Sequence, residues 1–394
     1  MRHVEIILKV AERCNLNCTY CYFFNKENKD FENNPALISP VTIRQLVRFL
    51  RTSSEELSET VFQVDIHGGE PLLLGVARFS EMVSLIRSGL HDAKEVNFTV
   101  QTNAVLINQT WLDVFSRYQV YVGISVDGPQ AQHDANRVDR RGRGTFQSMV
   151  PKIAAVRQAV SEGHLPGFGS ICVISPESDA RATYMCLTRD LGFSQLQFLF
   201  PDDTHDSVNP AHIKRFASFV DDLFECWEND DRKSIRIKLI DQTLQGILRE
   251  KADPLDRVSR TADGVAFTVS SSGEIGHDDT LRNVVPDLFR SGMNVADATF
   301  PEFLAWYRDV YRTLIPTHPA PKCATCAWGN ICEHVTSADT LLYRMKDRIA
   351  DQPSIYCEAL KRVYLRSATY LARRGVPVRE ISKNLISTDA VLPP

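Results

Sequence analysis

No run of about 18 or more apolar residues occurs in the 394-residue chain, so an ordinary membrane-spanning helix is excluded. The N-terminal stretch MRHVEIILKVAERC has no secretory signal pattern either, because Glu5 and Lys9 interrupt a short strand-like run. A cytoplasmic location and no membrane partner are expected. An excess of positive charge is also lacking: 45 Lys and Arg against 49 Asp and Glu give a net charge of -4, too little for a nucleic-acid footprint. The one basic cluster, Arg137 to Arg143, reads as a solvated or ligand-facing loop. Cysteine is missing from the long interval between Cys226 and Cys323, and no histidine lies within Cys14 to Cys21.

The ten cysteines that are present are unevenly spread. Cys14, Cys18 and Cys21 form one tight group, and Cys323, Cys326 and Cys332 form another that Cys357 follows. In a reducing compartment such grouping reads as metal or cluster ligation rather than a disulfide framework. Cys172, Cys186 and Cys226 stand alone in apolar contexts and read as small hydrophobes. With 43% hydrophobic and 24% charged residues, the chain is an ordinary globular one, long enough for one large domain and a smaller one.

From residue 1 to about 205, short β-rich runs alternate with longer amphipathic ones, the pattern of repeated βα units and a parallel sheet. Strands are expected at 4–10, 61–66, 96–101, 120–126, 168–174 and 195–200. Helices are expected near 40–53, 77–89, 109–117, 145–162 and 178–191, with Ser39-Pro40 and Ser178 in start positions. The expected fold is α/β, a partial (β/α)6 TIM-like barrel. Ligands gather at the carboxyl ends of such strands. The unusual residues fall there: the cysteine loop after strand one, His67-Gly68-Gly69-Glu70-Pro71 after strand two, Gln101-Thr102-Asn103 at the end of strand three, and Ser125-Val126-Asp127-Gly128 at the end of strand four.

Three thiolates can hold three irons of a four-iron cluster and leave the fourth open for another ligand. The alternative is a zinc knuckle, which usually pairs its cysteines with a second pair or with histidines nearby. The spacing C-x3-C-x2-C with Tyr20 just before the third cysteine resembles the signature of the radical S-adenosylmethionine (SAM) enzymes. In that family the open iron chelates S-adenosylmethionine, whose reductive cleavage yields a hydrogen-abstracting 5′-deoxyadenosyl radical. The resemblance implies that Cys14, Cys18 and Cys21 hold a [4Fe-4S] cluster and that Tyr20 lies against the adenine. It also assigns Gly68, Gly69 and Glu70 to the amino group, Asn103 and Ser125 to cofactor contacts, and Arg137 to the cofactor carboxylate. Blander readings stand beside these: a tight turn for the glycines, a turn cap for Asn103 and a solvated Arg137.

Residues 206 to 262 read as a charged, helix-rich connection, with apolar recurrences over Pro210–Asp230 and Ile235–Lys251. Gly264 to Asp279 reads as a β-hairpin. Four cysteines, Cys323, Cys326, Cys332 and Cys357, could by themselves hold zinc. Next to the first motif, they resemble the outer cluster of the SPASM extension of peptide-modifying radical enzymes, implying one auxiliary [4Fe-4S] cluster. The full extension has seven cysteines and two auxiliary clusters. Here Asp278 and Thr336 stand at two of the missing positions, so the inner cluster is expected to be absent. Asp279 follows the first of them, where sulfatase-maturing relatives carry a proton-removing aspartate; it is the candidate catalytic base or, alternatively, a turn aspartate. The expected domains are a barrel over 1–205, the connection over 206–262, a β-hairpin and helix auxiliary-cluster domain over 263–357, and a helical tail over 358–394.

Taken together, the resemblance implies a radical SAM oxidoreductase that acts on a ribosomally made precursor peptide and uses an external donor such as flavodoxin or ferredoxin. The opening ILKVAERCNLNCTYCYFFNK, IHGGEPLL and the single auxiliary cluster are most similar to maturases that join an aromatic ring carbon to a Cβ two residues away, forming a cyclophane. Formylglycine formation, thioether formation or epimerisation, and a non-catalytic metal-binding module are the alternatives. No winged-helix leader-recognition domain is expected ahead of the first strand.

Overall fold

The computed structural model describes residues 2–52, 54–249, 264–314, 320–334 and 341–385. The strands are β1 (Arg2–Ala11), β2 (Thr60–Gly68), β3 (Glu95–Thr102), β4 (Tyr121–Ser125), β5 (Phe168–Val173), β6 (Gln195–Leu199), β7 (Arg236–Ile237), β8 (Gly264–Val269), β9 (Glu274–Gly276) and β10 (Arg290–Asn294). The main helices are α1 (Pro40–Arg51), α2 (Val76–Gly89), α3 (Gln109–Tyr118), α4 (Gln130–Asn136), α5 (Phe146–Ser161), α6 (Ala180–Met185), α7 (Pro210–Asn229), α8 (Lys238–Leu248), α9 (Phe300–Leu314), α10 (Gly329–His334) and α11 (Cys357–Arg373). All six strands expected from the alternation are present, each within two residues of its expected bounds. The chain divides into two compact units: Met1–Val126, Gln130–Ser170 and Leu255–Tyr311 form the first, and Asp127–Pro129, Ile171–Pro254 and Arg312–Pro394 the second.

In the first unit, β1 turns Val4, Ile6, Leu8 and Val10 to one face, all buried. It pairs in parallel with β2 on one side and β8 on the other. From β2 the parallel order continues through β3 to β4. β8 turns at Gly273, whose φ of +86° suits glycine, into antiparallel β9, and β9 pairs with β10. The unit's sheet therefore runs β10-β9-β8-β1-β2-β3-β4 and does not close on itself. α1 starts at Ser39-Pro40 as expected, with Ser39 Oγ accepting from the Thr42 N–H at 3.0 Å. Its Phe49 meets Phe267, Phe300 and Phe303 at ring-centroid separations of 6.2, 5.5 and 6.0 Å. That contact ties α1, β8 and α9 together, and each buried ring stabilises by about 1.5–3 kcal/mol.

In the second unit, α11 lies along α7, with Leu360, Val363, Tyr364, Ala368 and Leu371 buried at helical intervals. Arg362 and Arg366 both donate to Asp221 of α7. Two local expectations need correction. α6 is capped by Asp179, which accepts from Ala182 at 2.7 Å, whereas Ser178 Oγ serves the preceding turn by accepting from Ser175 N at 3.0 Å. The segment expected to be helical from Ile235 first forms β7, which pairs with β6, and turns helical only at Lys238. Part of the connection (250–262), Thr336 and the last residues of the tail (386–394) lie outside the described residues. No described helix is long and apolar enough to cross a membrane.

Candidate functional site

The cysteine loop leaves the carboxyl end of β1 and is held there by the end of β2. Gly69 N–H donates to Ala11 O at 2.6 Å and Glu70 N–H to Arg13 O at 2.8 Å. Both glycines are needed for this approach. A Cβ on Gly68, at φ +148°, would stand 2.4 Å from Ala11 O, and one on Gly69 would stand 2.3 Å from Arg13 O. On its other side the loop lies along residues 136–140: Asn17 N donates to Val138 O at 2.8 Å, Thr19 N to Asn136 O at 3.0 Å, and Arg140 Nε to Cys14 O at 2.9 Å. A turn links Cys21 N to Cys18 O at 3.1 Å. All three cysteines are half-buried. Burial pushes the Cys14 thiol up to about 12, with Cys18 and Cys21 adding to the shift. Unaided, it stays protonated.

The strand ends converge on this loop. Asn103 Nδ2 donates to Asn15 Oδ1 at 2.8 Å and stands 3.9 Å from Cys14 Sγ. Glu70 is buried and clamps the ends of β2 and β3: Oε1 accepts from Leu72 N at 3.1 Å and Thr102 Oγ1 at 2.7 Å, and Oε2 from Asn103 N at 2.9 Å. Burial raises its carboxyl to about 7 against those three donors. Ser125 Oγ accepts from Gln101 Nε2 at 2.8 Å. The buried Arg137 holds its guanidinium 5.4 Å from the Tyr20 ring centroid, a cation–π arrangement. Cys14, Asn103, Glu70, Tyr20 and Arg137 are thus linked to one loop, while Ser125 stands further along the same row of strand ends.

Asp279 begins the short turn after β9 and is buried. Its Oδ2 accepts from Lys9 Nζ and from the Tyr22 hydroxyl, and Arg282 Nε stands 3.2 Å from Oδ1 without hydrogen-bond alignment. Burial works to raise the carboxyl, but the Lys9 ammonium and Arg282 guanidinium overcome it and hold Asp279 well below the usual carboxylate range. Lys9 Nζ also reaches Tyr22 Oη at 3.0 Å and His67 Nδ1 at 3.2 Å. Burial and that ammonium bring His67 down to about 3, so the ring is neutral. Asp278 is a helix cap: Oδ1 accepts from Thr280 N at 3.1 Å and Thr280 Oγ1 at 2.9 Å.

In the second unit, Cys326 N–H donates to Cys323 O at 3.1 Å, Cys332 lies on α10, and Cys357 opens α11. The thiols of all four are close enough to interact electrostatically, and burial raises those of Cys323 and Cys357.

Residues 8–182 match the family model described as the radical SAM superfamily. The chain carries a radical SAM domain. Among its relatives is a cysteine-type anaerobic sulfatase-maturating enzyme of Clostridium novyi (strain NT), 24% identical over 352 residues that cover 84% of this chain and 87% of that protein. A serine-type anaerobic sulfatase-maturating enzyme of Klebsiella pneumoniae is 30% identical over 197 residues, 49% of this chain and 47% of that one. A solved structure described as native anSMEcpe with bound AdoMet and Cp18Cys peptide superposes with a TM-score of 0.73 at 23% identity, covering 97% of this chain and 99% of that one. That likeness establishes the fold, a partial barrel whose sheet stays open.

The cysteines of the chain suit iron-sulfur clusters. Among the described residues, no three His, Cys, Asp or Glu side chains converge as one metal ion would require. A four-iron cluster takes one thiolate per iron, so its ligands surround a volume instead of a point, and its charge ionises thiols that burial keeps neutral. Sequence reasoning gave no site role to Lys9, Tyr22, His67 or Arg282. The available signal was Lys9, the one charge in the apolar carboxyl-terminal half of β1, taken only as evidence against a signal peptide.

Proposed function

We propose that the enzyme matures a ribosomally made precursor peptide by joining a Cβ to an aromatic ring carbon, forming a cyclophane. The observation that carries this reading is the ligand inventory: all ten cysteines are described, and only two groups of them draw together, three in the barrel loop and four in the second unit. Where the seven-cysteine extension has a further ligand, this chain has Asp278, already used as a cap. Two clusters held by these cysteines, together with S-adenosylmethionine, would supply a hydrogen-abstracting radical and an electron acceptor. The donor set, fed by a flavodoxin or ferredoxin, suits a reducing cytoplasm.

The reaction balances as follows. Removing a Cβ hydrogen leaves a carbon radical, and its attack on the ring forms the new bond; one electron and one proton must then leave for the ring to become aromatic again. Once the electron is gone, that proton is strongly acidic. A weak base suffices, provided that it is ionised, and Asp279 is held ionised by Lys9 and Arg282. Of the chain's other groups, Gly68, Gly69 and Glu70 would position the cofactor's amino group, Asn103 and Ser125 would contact it, Tyr20 would face the adenine, and Arg137 would pair with the carboxylate.

A second reading, formylglycine formation, is favoured by the sulfatase-maturating relatives, which match along most of the chain. Co-expression with the small open reading frame beside the gene, followed by fragmentation mass spectrometry, separates the two. Loss of two hydrogens per motif, with no fragmentation between the joined residues, supports the crosslink. A product that reacts with hydrazides carries an aldehyde and supports formylglycine instead.

A further inference from the structure

The four-cysteine site of the second unit is not surrounded symmetrically. Arg344 Nη2 donates to Cys332 Sγ at 3.2 Å. The buried Tyr364 of α11 lies close enough to the same sulfur for the two to interact electrostatically. Lys361, one turn into α11 from Cys357, adds positive charge near Cys357 and Cys323. Nothing in the ligand motif asks for these three residues; a structural site needs only its four thiolates.

The support behind Arg344 holds it in place. Its neighbours Tyr343 and Met345 are buried, and its carbonyl accepts from Gln352 N at 3.2 Å. Tyr343 packs edge-on against Tyr356 with ring centroids 4.8 Å apart, and Phe200 stacks on Tyr356 at 4.4 Å. Tyr343 immediately precedes Arg344 and Tyr356 immediately precedes Cys357, so one aromatic group fixes both a ligand and the cation that serves another ligand. A guanidinium and a phenol beside one thiolate stabilise negative charge on it. Reduction puts one more negative charge on an iron-sulfur cluster, so donors to its sulfurs favour the reduced form and raise its potential.

We propose that Arg344 and Tyr364, through Cys332, set the potential of the auxiliary cluster high enough for it to accept the electron that leaves the substrate. Both are potential-setting residues that act through a ligand, and the inference rests on the reading that Cys323, Cys326, Cys332 and Cys357 hold an iron-sulfur cluster. Selectivity follows from placement: among the described residues, Arg344 gives Cys332 a side-chain hydrogen bond, while its charge also acts on Cys323.

The test is a potentiometric titration, followed by electron paramagnetic resonance, of reconstituted full-length protein. Wild type is compared with Arg344→Met, Arg344→Lys and Tyr364→Phe. The expected result is that Arg344→Met and Tyr364→Phe each lower the auxiliary midpoint while iron stays at about 8 per chain. At a fixed potential the oxidised-to-reduced ratio should rise about tenfold for Arg344→Met, which corresponds to 59 mV for a one-electron couple. Arg344→Lys should recover part of the shift, and the midpoint of the cluster on Cys14, Cys18 and Cys21 should not move. An unchanged auxiliary midpoint in both Arg344→Met and Tyr364→Phe, with iron retained, overturns the inference alone. Wild type holding about 4 irons and one zinc overturns the cluster reading beneath it. Should Arg344→Met lose iron, Tyr364→Phe and Arg344→Lys decide the matter by the same shift.

Discussion

Glu70 allows the strand-end assignment to be tested with a calculable effect. Its carboxyl lies at about 7 in the folded protein against an ordinary 4.5. Because the folded-state value is the higher one, the folded protein binds more protons than the unfolded chain between those values. The stabilising contribution is therefore complete below pH 4.5 and is lost as pH rises to 7. At about 1.4 kcal/mol per pH unit, the loss across that window is about 3 kcal/mol. Glu70→Gln abolishes this dependence but turns an amide N–H toward the Asn103 N–H that Oε2 now accepts, at about 1–3 kcal/mol at every pH. Relative to wild type, the variant should be less stable near pH 5 and equal or better near pH 8. Anaerobic guanidinium denaturation of reconstituted wild type and variant, compared at several pH values, reads that difference directly; a difference that does not change with pH refutes the argument. The same pair tests the cofactor contact. An ammonium partner needs the carboxylate, so wild-type affinity for S-adenosylmethionine should fall about tenfold per pH unit below 7, and that of Glu70→Gln should not. If affinity is flat in both, Glu70 is a clamp for the loop and does not touch the cofactor.

Cys18→Ala should abolish formation of 5′-deoxyadenosine and reduce iron from about 8 to about 4 per chain, leaving the absorption of the auxiliary cluster; retained cleavage would mean that the wrong cluster has been assigned. Asp279→Asn should leave cofactor cleavage intact and lose the crosslinked peptide, and an unchanged product yield removes the base role. Lys9→Met should destabilise the protein by about 3–5 kcal/mol, because it takes the hydrogen-bonding cation from a buried carboxylate, whereas combining it with Asp279→Leu and Arg282→Met, which removes all three buried charges, should recover most of that in thermal or denaturant unfolding. Gly69→Ala places a Cβ 2.3 Å from Arg13 O and should prevent stable cluster loading, which visible absorption after reconstitution reports.

The barrel strands were legible because each carries its own signal. Val4, Ile6, Leu8 and Val10 alternate in β1, and glycine or polar clusters punctuate the strand ends. The placement of β8 was not legible. Its parallel pairing with His3–Leu8 of β1 joins residues about 260 positions apart, and neither strand's sequence encodes its partner. Ser178 and Asp179 illustrate a smaller limit: both residue types cap helices, and only the backbone decides which one does. At the site, the cysteine groups and Gly68-Gly69-Glu70 could be found from spacing. The clamp formed by Glu70 could not, since its three donors come from residues chosen by the meeting of β2 and β3.

The charges around Asp279 were the least legible part, and they bear most on the chemistry. Lys9 is the only charged residue in the carboxyl-terminal half of β1, and burial there costs several kcal/mol unless a partner repays it. Asp279 repays it from a distant turn, with Tyr22 and Arg282 completing the shell. Apolar residues of the same volume in place of all three charges are often as stabilising, so stability alone gives no reason for them. A proton acceptor gives one. Burial alone would raise Asp279 toward its neutral form; beside two cations it is ionised but weakly basic. Such a group can take a proton only from a strong acid, which an aromatic ring becomes once it has formed its new bond and lost an electron, and which a peptide N–H or an alcohol is not. In the proposed crosslinking reaction, the network would match Asp279 to a late step, after the electron has gone, and would protect the substrate from deprotonation before it.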